Sequence, residues 1–237
     1  MENLAEKRVL IVGGSSGIGA ASARAFAARG ALITIASRNQ SKLDFAANEI
    51  GGDIVTAILD TTDETSIESF FANANSFDHI VVSAAETASG PIGQLVLAEA
   101  YASMNSKFWG AYRIAKAAKI TDGGSLTLVS GFLSIRPSKS SVLQGAINAA
   151  LEALARGLAL ELSPVRVNTV SPGLVATSLW SKLNNEARQA MFEAAAARLP
   201  ARCVGQPEDV ANAVVYLATT PYATGSTVVV DGGGSIA

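Results

Sequence analysis

The chain has 237 residues, of which 49% are hydrophobic and 16% charged, and its formal net charge is -2. This size and apolar content exclude extensive disorder, and the slight negative charge argues against nucleic acid or an anionic membrane as partner. We find neither an apolar run of about 18 residues nor an N-terminal signal region, and the single cysteine, Cys203, excludes an internal disulfide, so we expect a cytoplasmic protein.

Seven short apolar runs alternate with segments of helical length. The runs are rich in Val and Ile and unbroken, which is typical of parallel strands buried on both faces. They cover residues 9–12, 32–36, 54–59, 79–82, 125–129, 165–170 and 227–230. Right-handed crossovers favour one doubly wound α/β domain over 1–237, a Rossmann fold with strand order 3-2-1-4-5-6-7. The least regular stretch, at about 173–202, is predicted to be a lid over the ligand crevice.

A glycine turn follows the first predicted strand. Residues 12–19 read Val-Gly-Gly-Ser-Ser-Gly-Ile-Gly, a G-x-x-x-G-x-G pattern placed before an Ala-rich helix. Glycines let the backbone turn tightly and approach a pyrophosphate, while the helix N-terminus offers free N–H groups to the anion. In this context the turn predicts a dinucleotide site, and a purely structural turn is the alternative.

The end of the second strand predicts NADP(H) rather than NAD(H). Ser37 takes the position of the acid that would hold the ribose 2′-OH, and Arg38 follows it. A guanidinium with no nearby carboxylate suits a 2′-phosphate, to which Ser15 and Lys42 could add contacts. The alternative is that Arg38 is a solvated residue at a strand end.

Further motifs complete a resemblance to the short-chain dehydrogenase/reductase family over essentially the whole chain. Residues 77–85 resemble its fourth strand and Asn-Asn-Ala-Gly motif, and residues 167–173 resemble the Pro-Gly motif beside the nicotinamide. Residues 205–211 and 224–233 resemble its last helix and last strand. The resemblance implies an NADP(H)-binding oxidoreductase that acts on a small molecule. It also implies that Asp60 contacts the adenine of the cofactor; the alternative is that Asp60 caps the following helix. The residues predicted to hold the cofactor are Gly13, Ser15, Ser16, Gly17, Ile18, Gly19, Ser37, Arg38, Asp60, Ala84, Pro172, Gly173 and Thr177.

The catalytic set of that family is replaced in this chain. In the family a Tyr protonates the carbonyl oxygen, a Lys one turn later lowers the Tyr pKa, a Ser holds the oxygen and an Asn completes a proton relay. We align the chain with the family on the Ala-Ala-Leu-Glu run at 149–152. In this alignment Gln144 occupies the position of the family's Tyr, and Asn148 occupies the position of its Lys. Gly131 occupies the position of the Ser, and Ser130 comes just before it. Neither amide can exchange a proton near neutral pH.

The Asn position aligns with Lys107, although a small slip would place Asn105 there. Near a nicotinamide, a partly buried Lys107 would have a lowered pKa and could donate a proton; the alternative is a solvated helix lysine. Tyr112 and Lys116 spell Tyr-x-x-x-Lys, but they precede the fifth strand, so we expect a core aromatic and a surface charge.

The remaining candidates are polar residues near the predicted crevice. Ser130, Ser134, Lys139 and Ser141 either bind a polar group of the substrate or are plain surface. His79 is expected to be a strand-end histidine and Cys203 a packing residue, and no metal site is predicted.

Two functions remain open. The first is an NADP(H)-dependent oxidoreductase with a non-standard active site built from Lys107, Gln144 and Asn148. The second is a non-catalytic NADP(H)-binding sensor or partner subunit. The Ala-rich helix at about 141–162 predicts a homotetramer or homodimer, because small residues let helices approach closely.

Overall fold

The computed structural model describes residues 4–237, so the first three residues of the predicted domain 1–237 lie outside the described range. The described chain forms a seven-stranded sheet of order β3-β2-β1-β4-β5-β6-β7, and all neighbouring strands are parallel. The strands are β1 (Arg8–Val12), β2 (Leu32–Ser37), β3 (Val55–Ile58), β4 (Phe77–Val82), β5 (Ile120–Val129), β6 (Arg166–Pro172) and β7 (Thr227–Val230). The predicted sheet and strand order are confirmed.

Helices cover both faces of the sheet. They are α1 (Gly17–Ala27), α2 (Gln40–Ile50), α3 (Glu64–Asn73), α4 (Leu97–Met104), α5 (Gly110–Ala117), α6 (Val142–Glu161), α7 (Asn185–Arg198) and α8 (Pro207–Thr219). A five-residue π-helical segment, Asn105–Trp109, joins α4 to α5. Helices α1, α2 and α8 contribute to the apolar core on one face, and α3, α5 and α6 contribute to the core on the other.

The central strand β1 is apolar on both faces because both faces are buried. In β1, Val9 and Ile11 pack into one core while Leu10 and Val12 pack into the other, and all four are at most 1% exposed. Burying such a side chain contributes about 1.5–3 kcal/mol. The two apolar cores therefore meet across β1.

Several expectations about single residues are wrong. Tyr112 is 43% exposed, because α5 turns Ala111, Ile114 and Ala115 to the core instead. Cys203 is exposed rather than packed. Residues 173–202 are more regular than expected, since they contain the 14-residue helix α7.

His79 lies inside β4 rather than at its start, and it is buried. Its ring stacks on Phe26, and its Nδ1 atom lies 2.9 Å from the Ser125 hydroxyl. Burial lowers the pKa of His79 to about 4, so this histidine is neutral in the folded protein near neutral pH.

Within residues 4–237, no helix combines the length and apolar content needed to cross a membrane.

Candidate functional site

The glycine turn between β1 and α1 packs directly against the end of β4. A Cβ on Gly13, whose φ is +88°, would lie 2.5 Å from the Ala84 nitrogen. A Cβ on Gly19 would collide with the Gly13 carbonyl and lie 2.6 Å from the Ser83 hydroxyl. Larger residues are therefore excluded at both positions.

The N-terminus of α1 offers unpaired backbone donors. Ser16 is the N-cap residue, but its side chain makes no capping hydrogen bond, and the first turn holds no acidic residue. The first N–H groups of a helix have no partner within the helix, and the helix dipole adds partial positive charge there. This terminus has the character of an anion site.

The loop after β6 closes over the same turn. Gly173 donates its N–H to the Val230 carbonyl at 2.9 Å, and a Cβ on Gly173 would lie 2.7 Å from the Asp231 Cα. Further along, the Thr177 Cβ would lie 3.4 Å from a Cβ on Gly17. Residues predicted from separate motifs, at 13–19, at Ala84 and at Thr177, thus meet beside the point between β1 and β4 where the strand order reverses. Ligands of open α/β sheets bind at such a switch point.

The sequence suggested that Arg38 has no carboxylate nearby, but the structure places one beside it. Its Nη2 atom donates to Glu86 Oε2 at 2.9 Å, and the two side chains are 59% and 75% exposed. Glu86 follows β4, which lies two strands from β2, so the pairing depends on the fold and not on sequence proximity. An exposed pair of this kind is worth about 0–1 kcal/mol, so a dianionic ligand group can displace Glu86.

Asp60 forms a turn rather than a helix cap. Its Oδ1 atom accepts from the Thr62 N–H at 2.9 Å and from the Thr62 hydroxyl at 2.8 Å. Asp63, not Asp60, caps α3 by accepting from the Thr65 N–H. The carboxylate of Asp60 remains at the end of β3, at the edge of the sheet that carries Arg38.

Lys107 lies in the π-helical segment, and its side chain reaches the end of β5 and the second turn of α6. Its Nζ atom donates to the Ser130 carbonyl at 2.8 Å and to Asn148 Oδ1 at 2.7 Å. Burial lowers the pKa of Lys107 to about 8, and the Glu152 carboxylate partly opposes this effect. The expectation of a solvated helix lysine is therefore wrong.

The alternative placement of Asn105 is also excluded. Its Oδ1 atom accepts from Arg113 Nη2 at 2.7 Å, which ties the amide to α5. A π-helical segment adds a residue to a helical turn and rotates its neighbours, and such segments are frequent at functional sites. Lys107 is consequently the residue of this helix that contacts Asn148.

Asn148 and Gly131 are in direct contact. Asn148 is only 4% exposed, and a Cβ on Gly131 would lie 2.7 Å from its Nδ2 atom. A serine or alanine at 131 would push this amide away, so the small residue and the amide depend on each other.

A carboxylate lies one helical turn beyond Asn148. Glu152 Oε1 accepts from the Ser130 hydroxyl at 2.9 Å and from the Ser134 hydroxyl at 2.7 Å. Ser130 is 4% exposed, so the expectation of a surface serine is wrong for this residue, while Lys139 is exposed. The Ser130 hydroxyl is committed to Glu152 and cannot take the place of a side chain on Gly131.

Gln144 faces the loop that follows β4. Its Nε2 atom donates to the Thr87 hydroxyl at 3.1 Å. The partners that sequence reasoning missed are Thr87, Glu86 and Glu152. Glu152 follows Asn148 by four residues on α6, a spacing that places two side chains on one helix face, so it could have been found. The loop residues required knowledge of the fold.

Within the described residues, no three His, Cys, Asp or Glu side chains are grouped as metal ligands.

A doubly wound parallel sheet with a glycine turn at its switch point defines a Rossmann-type domain. Comparison with known proteins gives the family. The family model described as "Enoyl-(Acyl carrier protein) reductase" matches residues 12–235. The short-chain dehydrogenase/reductase ucsE of Acremonium sp. is 31% identical over 258 residues, covering 100% of this chain and 98% of the relative. This chain belongs to the short-chain dehydrogenase/reductase family.

Two solved structures are similar over nearly their whole length. A small-chain dehydrogenase in complex with NADPH is 32% identical, with a TM-score of 0.86 and coverage of 98% of this chain and 100% of that one. The MalC reductase/Diels-Alderase of Malbranchea aurantiaca is 28% identical, with a TM-score of 0.89 and coverage of 97% and 96%.

Proposed function

We propose that this protein is an NADP(H)-binding oxidoreductase whose active site replaces the family's Ser, Tyr and Lys by Gly131, Gln144 and Asn148. The observation that carries the proposal is the contact of Lys107 with Asn148 at 2.7 Å, beside Gly131 and the end of β5. A cation is thus retained beside the crevice, but it comes from the helix before β5 instead of from α6.

The chain's own residues fit a dinucleotide. The glycine turn offers backbone donors to a pyrophosphate, with Thr177 beside Gly17. Arg38 would bind the 2′-phosphate after leaving Glu86. When bound, the nicotinamide supplies or accepts the hydride. Pro172 and Gly173 would flank the ring, Ala84 would lie beside the turn, and residues 173–202 would cover the crevice.

Lys107 and its partners would stabilise negative charge that develops on the substrate. The ammonium lies in a partly buried position, where it acts on developing negative charge more strongly than it would in water. Glu152, held by Ser130 and Ser134, favours the protonated form of Lys107. Gln144 would orient the substrate from the start of α6.

A non-catalytic NADP(H)-binding protein is the second candidate. The Gln144 amide is already tied to Thr87, and the Ser130 hydroxyl is already tied to Glu152. A site whose polar groups satisfy one another needs no substrate to complete it. This candidate predicts cofactor binding without oxidation of NADPH by any substrate.

Cofactor preference tests the first part of the proposal. We expect NADPH to bind more tightly than NADH in calorimetry, because the 2′-phosphate forms a charged hydrogen bond with Arg38. Arg38→Leu should weaken NADPH binding roughly 10- to 100-fold, the equivalent of about 1.5–3 kcal/mol. Glu86→Gln should strengthen NADPH binding several-fold by releasing Arg38, and NADH binding should not change. Equal affinity for both cofactors in the unmodified protein would contradict the assignment of Arg38.

The glycine turn gives a second test. Gly19→Ala should abolish NADPH binding, because the new Cβ would collide with the Gly13 carbonyl and displace the turn. Gly93→Ala is the matched control, since its Cβ meets nothing within 4 Å, and it should bind NADPH normally. Normal NADPH binding by a folded Gly19→Ala protein would place the cofactor elsewhere.

We also propose that α6 mediates a homo-oligomer, a tetramer or a dimer. Ala146, Ala149 and Ala153 are exposed on this helix, whereas Ala155 is buried in the protomer's own core. Light scattering should report an oligomer at micromolar concentration, and Ala149→Arg should dissociate it across α6. Ala190→Arg, on exposed α7, is the control that should leave the oligomer intact. A monomeric wild-type protein would refute the interface.

A further inference from the structure

A short segment after β4, residues 85–90, contacts both the proposed cofactor site and the proposed substrate site. Glu86 accepts a hydrogen bond from Arg38 Nη2 at 2.9 Å, and the next residue, Thr87, accepts one from Gln144 Nε2 at 3.1 Å. Arg38 follows β2 and is assigned to the 2′-phosphate, whereas Gln144 lies in the first turn of α6 and is assigned to the substrate. Two neighbouring residues therefore connect two sites that lie on different elements.

Side-chain hydroxyls hold the backbone of this segment. Residues 85–90 belong to neither a helix nor a strand. The Glu86 N–H donates to the Ser106 hydroxyl and the Ala88 N–H donates to the Ser103 hydroxyl, both at 2.9 Å. Within residues 4–237, no backbone group of another segment is hydrogen-bonded to the backbone of residues 85–90. The segment can therefore shift without breaking a helix or the sheet.

The occupant of Arg38 distinguishes the two nicotinamide cofactors. A phosphate monoester carries close to two negative charges near neutral pH, so a 2′-phosphate competes with the Glu86 carboxylate for the guanidinium and repels it. The ribose 2′-OH of NAD(H) is uncharged and can leave the pair intact. Because both side chains of the pair are largely exposed, their attraction is weak and the phosphate can replace it.

We propose that residues 85–90 form a latch that NADP(H) opens and NAD(H) does not. The 2′-phosphate displaces Glu86 from Arg38. The segment then shifts, Thr87 releases Gln144, and the Gln144 amide binds the substrate. A ligand moves such an equilibrium only through its different affinity for the two states, and the 2′-phosphate supplies that difference. The inference rests on the proposed function, and Thr87 is a positioning residue that acts through Gln144.

The latch also explains why the polar groups of the site satisfy one another in the absence of cofactor. The contact of Gln144 with Thr87 is then the closed state of an enzyme, and the substrate meets a free amide only after NADP(H) has bound. The cofactor therefore binds first and the substrate second.

Cofactor affinities measured by calorimetry test the latch. Thr87→Val removes the hydroxyl and keeps the shape of the side chain, so the latch should open more readily. NADPH should bind this variant roughly 2- to 10-fold more tightly, the effect of one hydrogen bond, while the affinity for NADH should stay the same. Thr65→Val makes the same change on exposed α3 and should alter neither affinity. Unchanged NADPH affinity in a folded Thr87→Val protein, or an equal gain for NADH, would overturn the inference.

A second variant tests whether the two contacts are linked. Glu86→Ala leaves no carboxylate to displace, so NADPH can occupy Arg38 without moving the segment. Affinity for NADPH should rise several-fold in this variant. Adding Thr87→Val should then change it no further, because coupled sites give effects that do not add. Gains that multiply in the double variant would refute the link between Glu86 and Thr87.

Two cofactor fragments report the latch without turnover. Adenosine 2′,5′-bisphosphate carries the 2′-phosphate but no nicotinamide, and 5′-AMP lacks both. Isotopic nitrogen labelling of glutamine makes the side-chain amide of Gln144 visible by NMR, and its signal is identified by its loss in Gln144→Leu. The bisphosphate should move this signal toward its position in Thr87→Val, and 5′-AMP should leave it in place.

The same measurement separates the latch from the proposed function. A Gln144 signal that stays in place while the bisphosphate is bound refutes only the latch, since the cofactor site is then occupied. If neither NADPH nor the bisphosphate binds, the proposed function fails and the latch fails with it.

Discussion

The unmodified protein, supplied with NADPH, is expected to reduce ordinary ketones such as cyclohexanone extremely slowly or not at all. A positioned general acid contributes roughly 10²–10⁴-fold to such a reaction, and the Gln144 amide cannot act as one. Measuring NADPH oxidation with a panel of simple ketones and alcohols tests this expectation. Brisk turnover would contradict it and would point to Lys107 as the acid, in which case Lys107→Met should abolish the activity.

Restoring the family's catalytic residues should recover some ketone reduction if the crevice admits a carbonyl. The variant needs Gln144→Tyr, Asn148→Lys and Gly131→Ser together, because groups that act as a unit give little effect singly. Gly131→Ser alone would press its Cβ against Asn148 Nδ2, which lies 2.7 Å from that position. Adding Lys107→Asn avoids two adjacent ammonium groups, so the fourfold variant should outperform the threefold one. Equal activity of all single and combined variants would refute this interpretation.

The free energy of unfolding is expected to rise as the pH increases from about 8 to about 10.5. Burial lowers the pKa of Lys107 from its ordinary value of 10.5 to about 8 in the folded protein. In this interval the unfolded chain keeps the proton while the folded protein has released it, so higher pH favours folding. Below pH 8 both states are protonated, and the folded state bears the full cost of the buried charge. At about 1.4 kcal/mol per pKa unit the rise is at most about 3 kcal/mol.

Chemical denaturation at several pH values measures this rise, and the difference between variants isolates Lys107. Lys107→Met should lack the rise, whereas Lys139→Met, on an exposed loop, should retain it. A Lys107→Met protein with the same pH dependence as the wild type would show that Lys107 is solvated.

The sheet could be predicted from sequence because the apolar residues of a strand indicate that the strand is buried. An unbroken run such as residues 9–12 is apolar since both faces of β1 are covered, and that pattern needs no knowledge of distant residues. The glycine turn was predictable for a similar reason, because the collision that excludes a side chain from Gly19 involves the nearby Gly13 carbonyl.

Contacts between distant segments were not predictable. Arg38 and Glu86 are 48 residues apart in sequence, and only the placement of β4 beside β1 brings their loops together. Tyr112 is exposed, contrary to the prediction of a core aromatic, because the inner face of α5 is filled by smaller residues.

The choice between Asn105 and Lys107 was also beyond the sequence. They are two positions apart, and an ordinary α-helical register does not reveal which one turns toward α6. The π-helical segment and the contact of Arg113 with Asn105 decide it, and both depend on the packed structure. The position of Glu152 near the site could have been predicted, because Glu152 lies one turn from Asn148 on the same helix.

A crystal structure with NADPH bound tests the central claim most directly, through what lies between Gln144, Gly131 and the nicotinamide ring. We predict that the 2′-phosphate contacts Arg38, that Lys107 still donates to Asn148 Oδ1, and that the space between Gln144 and the nicotinamide ring is open. A crevice filled by residues 173–202, or an Asn148 amide turned away from Gly131, would contradict an active oxidoreductase and favour a cofactor-binding protein without catalysis.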